Sequence, residues 1–157
     1  MKSKFRWLLL LTIECFLFTV TTARAQPAPT GELHVVVSHL RNDNGRIACS
    51  LFNEPNGFPR DESKEFRAVQ ATIQGSTAVC DFKNIPAGQY AVTVLHDENL
   101  NGKMDFNRLG IPTKGYGFSN DAKAIVRPPS FDAARIDFNG IGVRDVPIKI
   151  VYWTKSL

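Results

Sequence analysis

Between Leu33 and Tyr152 the apolar residues return at every second position in several short runs, and no long stretch carries the three-to-four spacing of a helix. Leu33, Val35 and Val37 share one face, as do Ile47, Cys49 and Leu51, then Ala78, Cys80 and Phe82, then Tyr90, Val92 and Val94. Val146, Ile148, Ile150 and Tyr152 repeat the pattern near the end, after a short strand expected near Arg135 to Phe138. Such a chain can bury its apolar face only by pairing strands into sheets and stacking the sheets. Asn42-Asp43-Asn44-Gly45 predicts a hairpin, because Asn-Gly tolerates the positive φ angles of a tight primed turn. Gly75-Ser76 separates two further strands, near 67–74 and 77–82, and Asn84 to Gly88 reads as a turn. Residues 53–66 read as loop, with a helical turn around Asp61 to Phe66. Pro147 donates no ladder hydrogen bond and belongs at an edge or a non-bonded position. The expected architecture is all-β: an antiparallel Greek-key sandwich of about seven strands, immunoglobulin- or transthyretin-like, spanning 32–157 as one domain.

The first residues address the chain. Lys2, Lys4 and Arg6 precede an apolar run, Trp7 to Val20, and Ala23-Arg24-Ala25 supplies the small-x-small pattern of a signal-peptidase site. The run of about 14 residues is shorter than the roughly 18–20 a membrane span needs. Cleavage after Ala25 leaves a Pro-rich tether, 26–31, and no integral membrane span, so the product is expected in the periplasm or outside the cell. The chain carries 19 basic and 15 acidic residues, but the leader holds Lys2, Lys4, Arg6 and Arg24 against Glu14. The mature part is therefore close to neutral, and nucleic-acid binding is not expected. Cys49 and Cys80 remain, both on the apolar faces of their strands. In an oxidising compartment they read as a disulfide, the alternative being two buried thiols.

One segment carries chemistry. Asp97, Asn99 and Asn101 hold positions one, three and five of a loop with Gly102 at six, which lets a short loop wrap its oxygens around one cation. Lys103 at seven would offer its backbone carbonyl, and Asp105 at nine would ligate directly or through water. Hard oxygens in a flexible loop point to Ca2+. Arg108 at twelve departs from the helix–loop–helix site, which has a bidentate Glu there, and few carboxylates lie on ligand positions. Affinity is thus expected near the extracellular range of about 10⁻⁴ to 10⁻³ M. Glu98 or Asp121 could add an acidic ligand; the alternative is a polar turn with Asx-type caps and no ion.

The loop that follows, 106–130, is long, and loops of this kind tend to be functional. Tyr116 and Phe118 are either an aromatic platform for a sugar or peptide, or plugs fixing the loop to the sandwich. For catalysis, His34 and His39 read as surface residues, whereas His96 adjoins the metal loop and could pair with Ser119 and Asp121. Gly-Phe-Ser-Asn is not a nucleophile elbow, so a non-enzymatic module is expected, a weak periplasmic hydrolase using His96 and Ser119 being the alternative.

Ile85-Pro86-Ala87-Gly88-Gln89-Tyr90-Ala91-Val92, His96 to Asn99, Asn101 to Asp105, Gly110-Ile111-Pro112 and Gly115 to Asn120 resemble an uncharacterised exported bacterial family, the domain of unknown function numbered 2141. The resemblance covers nearly all of the mature chain and implies a sandwich and an exported location, but no activity. Lys114 stands where that family would lead one to expect Glu, which removes one acidic ligand. More loosely, the Pro-x-Gly-x-Tyr strand running into Asp-x-Asn-x-Asn-Gly is similar to transthyretin-like and calcium-stiffened surface-adhesin modules. The expected role is an exported cell-envelope binding or structural module, its calcium loop ordering 106–130 and its partner a glycan, a peptide or an envelope protein. A purely structural domain without a ligand is the other form of that reading.

Overall fold

Alternating burial along the strands becomes two sheets facing each other across one core. The computed structural model describes residues 28–124 and 127–153; the expected signal segment, and residues 26–27 of the tether, lie outside the described residues. The strands are β1 (Thr30–Ser38), β2 (Arg46–Phe52), β3 (Arg67–Ala71), β4 (Ala78–Pro86), β5 (Gly88–Asp97), β6 (Gly115–Phe118), β7 (Ile136–Phe138) and β8 (Val143–Lys149). A single helical turn, α1 (Phe131–Ala134), precedes β7. One sheet has the order β4-β1-β8 and the other β3-β2-β5-β6, with β7 also pairing β5. The β-sandwich class expected from the alternation is the class found.

Three details differ from the sequence reading. β1 and β2 are not a hairpin: β1 pairs β4 and β8, and β2 pairs β3 and β5, so Asn42 to Gly45 forms a corner between sheets. Gly45 does take a positive φ of 72°, but its backbone lies against β5, where an added Cβ would meet the Asp97 carbonyl oxygen at 2.0 Å. The residues that suggest a tight turn thus serve a close approach instead. β1 and β8 run parallel, against the all-antiparallel expectation. The strand β8 has a ladder on one side only, which gives Pro147 its expected edge position. Finally, residues 84–86 extend β4 where a turn was expected, and β6 lies inside the stretch expected to be loop.

The core is filled by the alternating residues already named, including Leu33, Val35, Val37, Ile47, Leu51, Phe82, Val92 and Ile148. Cys49 on β2 and Cys80 on β4 are buried and joined as a disulfide between the two sheets, with Cα atoms 6.5 Å apart. A second cluster gathers Phe52, Phe118, Phe131, Ala91 and Ala134. Phe58 lies edge-on to Phe52 and Phe131, at 5.4 and 5.8 Å between ring centroids. Closing a loop of 31 residues constrains the unfolded chain by about 3.5–4 kcal/mol in the chain-entropy account. The mature protein, denatured without reductant, is therefore expected to show no titratable thiol. Reduction should lower its unfolding free energy by about 3 kcal/mol or more in a denaturant melt; two titratable thiols before reduction would contradict the bridge.

Candidate functional site

Strand β5 ends on two buried polar residues, His96 and Asp97, and the chain then turns through residues 98–113 before re-entering the sheet as β6. A carboxylate removed from water needs a positive partner or several hydrogen bonds. Asp97 has both. Its Oδ2 accepts the Gly102 N–H at 2.8 Å, and its Oδ1 accepts from the Lys114 ammonium at 2.6 Å. The glycine at position six has φ 76° and makes the bend that brings its N–H inward.

Lys114 Nζ is the centre of the site. Besides Asp97 it donates to Asn101 Oδ1 at 2.5 Å and to the Lys103 carbonyl at 2.7 Å, and Asp105 Oδ2 lies 3.3 Å away. The Lys114 side chain is only 4% exposed. Four of the five residues predicted to ligate calcium thus converge on the Lys114 ammonium, through two carboxylates, an amide oxygen and the backbone carbonyl of position seven. Asn99 does not reach the centre. Its Nδ2 donates to Asp105 Oδ2 at 2.9 Å, alongside Asn101 Nδ2 to Oδ1, so the two amides orient the carboxylate. Glu98 turns away to pair with Arg41 and to accept from Asn42 Nδ2 at 2.7 Å. Asp121 is also elsewhere, its Oδ1 accepting the Lys149 N–H at 3.4 Å. The donors are hard oxygens of the kind calcium takes, and the charge they surround is the Lys114 ammonium. Among the described residues no three His, Cys, Asp or Glu side chains are grouped to hold a metal.

Arg46 adds positive charge behind the site. Its Nε is 3.6 Å from Asp97 Oδ2, too long for a hydrogen bond, and is a buried donor without a partner. Burial pushes the Asp97 carboxyl up, but hydrogen bonds from Lys114 and from the Gly102 and Asn101 N–H groups, with the ammonium charge, outweigh it and leave its pKa lowered. Asp105 is lowered chiefly by the Asn101 and Asn99 amides, and Glu98 chiefly by Arg41.

The imagined triad is not assembled. His96 Nε2 lies 2.8 Å from the Asn44 carbonyl, which can only accept, so this nitrogen carries hydrogen. Nδ1 is 2.6 Å from the Tyr152 hydroxyl, which also accepts the Arg41 N–H. Ser119 is buried in a different place: its Oγ accepts the Val92 N–H at 2.9 Å and donates to the Ala134 carbonyl at 2.5 Å. β5 pairs β7 through Gly88 to Tyr90 and β6 through Thr93 to His96. The serine hydroxyl serves β5 between these two ladders. Phe118 belongs to the aromatic core and Tyr116 is half-buried, which is the plug role and not an exposed platform. His34 is half-buried and His39 exposed, as read from the sequence.

The downstream loop is folded. Asn107 Oδ1 accepts the N–H groups of Leu109 and Ile111, Asn107 N–H donates to the Ile111 carbonyl, and Thr113 N–H donates to the Asp105 carbonyl. Asn107 thus closes the turn from 107 to 111, and Thr113 is tied back to the backbone of Asp105, one of the cradle residues.

Comparison of the sequence with known families places residues 35–144 within a family described as an uncharacterized protein conserved in bacteria, DUF2141. The chain belongs to the DUF2141 family. No curated protein and no solved structure matches it. The likeness to transthyretin-like and adhesin modules therefore gains no relative from these comparisons. The match covers β5, the 97–105 loop, Lys114, β6 and β7, so the whole site lies within the part of the chain that defines this DUF2141 member.

Two outcomes follow from this geometry. Ser119→Ala leaves the Val92 N–H and the Ala134 carbonyl without their partner, and unsatisfied buried groups cost about 1–3 kcal/mol each; a denaturant melt should show a loss of about 2 kcal/mol or more, and an unchanged midpoint would contradict the stitching role. The lowered pKa values of Asp97, Glu98 and Asp105 contribute stability that is present above the unfolded carboxylate value of about 4 and lost as pH falls through the lower folded values. The thermal midpoint should fall on acidification below about pH 5, and Asp97→Asn should be weaker at neutral pH yet lose less on acidification. Parallel midpoint curves for the two proteins would contradict this.

Proposed function

We propose that the protein is an exported, non-catalytic module of the bacterial cell envelope, binding or structural in role, whose loop end is held in shape by a cation cradled in residues 97–105. The observation that carries the reading is the convergence of Asp97, Asn101, the Lys103 carbonyl and Asp105 on one positive centre. In this chain an ammonium supplies the charge that the oxygen set would otherwise take from a divalent ion such as calcium.

Export is supported by the basic and apolar leader with Ala23-Arg24-Ala25, and by an inter-sheet disulfide of the kind that persists in oxidising compartments. No helix among the described residues is long and apolar enough to cross a membrane. A non-catalytic role is supported by the engagement of His96 and Ser119 in separate structural hydrogen bonds. For the binding form of the role, the fastened loop exposes Phe106 and Leu109, and Leu109 and Trp153 border a depression of about 260 Å³ that also includes Ile111 and Pro112. A glycan, peptide or envelope protein would meet this end of the sandwich.

The test uses the full chain expressed in a bacterium. The mature form should be recovered from the periplasm or medium with Gln26 first, and its loop should resist trypsin at Lys103 and Arg108. The Asp97→Ala/Asp105→Ala variant should be cut there at least about tenfold faster, because local opening sets the cleavage rate. Retention of the leader in the cytoplasm would overturn the address, and equal cleavage rates would overturn the cradle.

A further inference from the structure

A loop with oxygens at positions one, three, five, seven and nine and glycine at six is built to close on a cation, and this one has closed on a side chain from outside itself. Lys114 lies immediately before β6, where Gly115 begins pairing with His96, and Thr113 is tied to the Asp105 carbonyl. The ammonium is thereby delivered to the loop by the sheet. Its three protons match three short contacts, at 2.5, 2.6 and 2.7 Å, with Asp105 Oδ2 as a fourth oxygen at 3.3 Å. Calcium–oxygen distances are about 2.3–2.6 Å, close to these three contacts, so the same oxygens could form part of a calcium shell of about six to eight.

Resting on the cradle reading above, we propose that Lys114 is an intramolecular replacement for a calcium ion. The wild-type loop then needs no metal, and loss of this one ammonium turns the loop into a calcium site. The tethered charge excludes the divalent ion by occupying its position and repelling it, with the Arg46 guanidinium adding positive charge beside Asp97. Without the ammonium, the buried Asp97 carboxylate would keep the Gly102 N–H and the Arg46 guanidinium at 3.6 Å, with Asp105 and the other oxygens left to face one another. That arrangement favours an oxygen-seeking cation of flexible coordination, with water completing the shell, over magnesium, which demands a tight octahedron, and over zinc, which favours nitrogen and sulfur.

The experiment compares wild type, Lys114→Ala and Lys114→Glu, the last replacing the cation with a further carboxylate. Thermal midpoints are measured in chelator, in 10 mM calcium and in 10 mM magnesium, and calcium binding is measured by isothermal titration. Wild type should have the same midpoint in all three solutions and give no calcium heat at millimolar concentration. Lys114→Ala should melt lower in chelator and recover by about 3–6 °C in calcium, as expected for a site with a Kd of about 10⁻³ M, and by less in magnesium. Lys114→Glu should depend on calcium more strongly still.

Calcium binding to wild type as tight as to Lys114→Ala overturns the replacement. So does a destabilised Lys114→Ala that calcium does not rescue, or failure of both variants to fold in 10 mM calcium, although the cradle itself would stand. A Lys114→Ala protein melting at the wild-type temperature in chelator would instead remove the cradle reading on which the inference rests.

Discussion

A buried ammonium facing a buried carboxylate, Lys114 against Asp97, is the contact on which the loop end of this protein depends. Either charge alone would be costly in a site this dry, and each is acceptable only because the other and a set of oriented oxygens and N–H groups surround it. The pair joins the end of β5 to the start of β6 and draws the intervening bend inward through Asn101, Gly102 and Lys103. Asp105 extends the influence outward, since its carboxylate is held by two amides and its carbonyl anchors Thr113. A single electrostatic centre therefore helps set the course of a segment whose larger apolar residues, Leu100, Phe106 and Leu109, stay exposed.

Two further polar devices fix the rest of the long connection. The His96–Tyr152 hydrogen bond, with Arg41 stacked 4.5 Å over the tyrosine ring and paired to Glu98, ties the corner between β1 and β2 to the end of β5 and to the C-terminal segment. Ser119 fills the gap where β5 has left β7 and not yet met β6. In each case a group that suggests catalysis when read alone has its donors and acceptors committed to backbone or neighbouring side chains.

Most of the sandwich was legible in the sequence because period-two burial is a strong signal where both neighbours are large. The faces of β1, β2, β4 and β5 and the inter-sheet cysteines follow from it, and the edge position of Pro147 follows from its missing N–H. Strand β6 was hidden because its inward positions are Gly115 and Gly117, which read as loop. Their role is close approach: a Cβ on Gly115 would come within 2.4 Å of the Tyr152 ring, and one on Gly117 within 2.6 Å of Ile148. The corner at Asn42 to Gly45 was misread because a positive φ says how the chain bends and not which strands it joins. The cradle was visible in its spacing from Asp97 to Asp105, but its cation was not. Lys114 reads only as the loss of one acidic ligand, and it takes the β5–β6 pairing and the contacts of its ammonium to show that the side chain turns inward.

The most direct test of the account is a high-resolution crystal structure of the mature wild-type protein grown in 10 mM calcium chloride. The account predicts Lys114 Nζ within hydrogen-bond distance of Asp97, Asn101 and the Lys103 carbonyl, with no divalent ion in the loop. A calcium ion coordinated by those oxygens, with the lysine turned out to solvent, would contradict it.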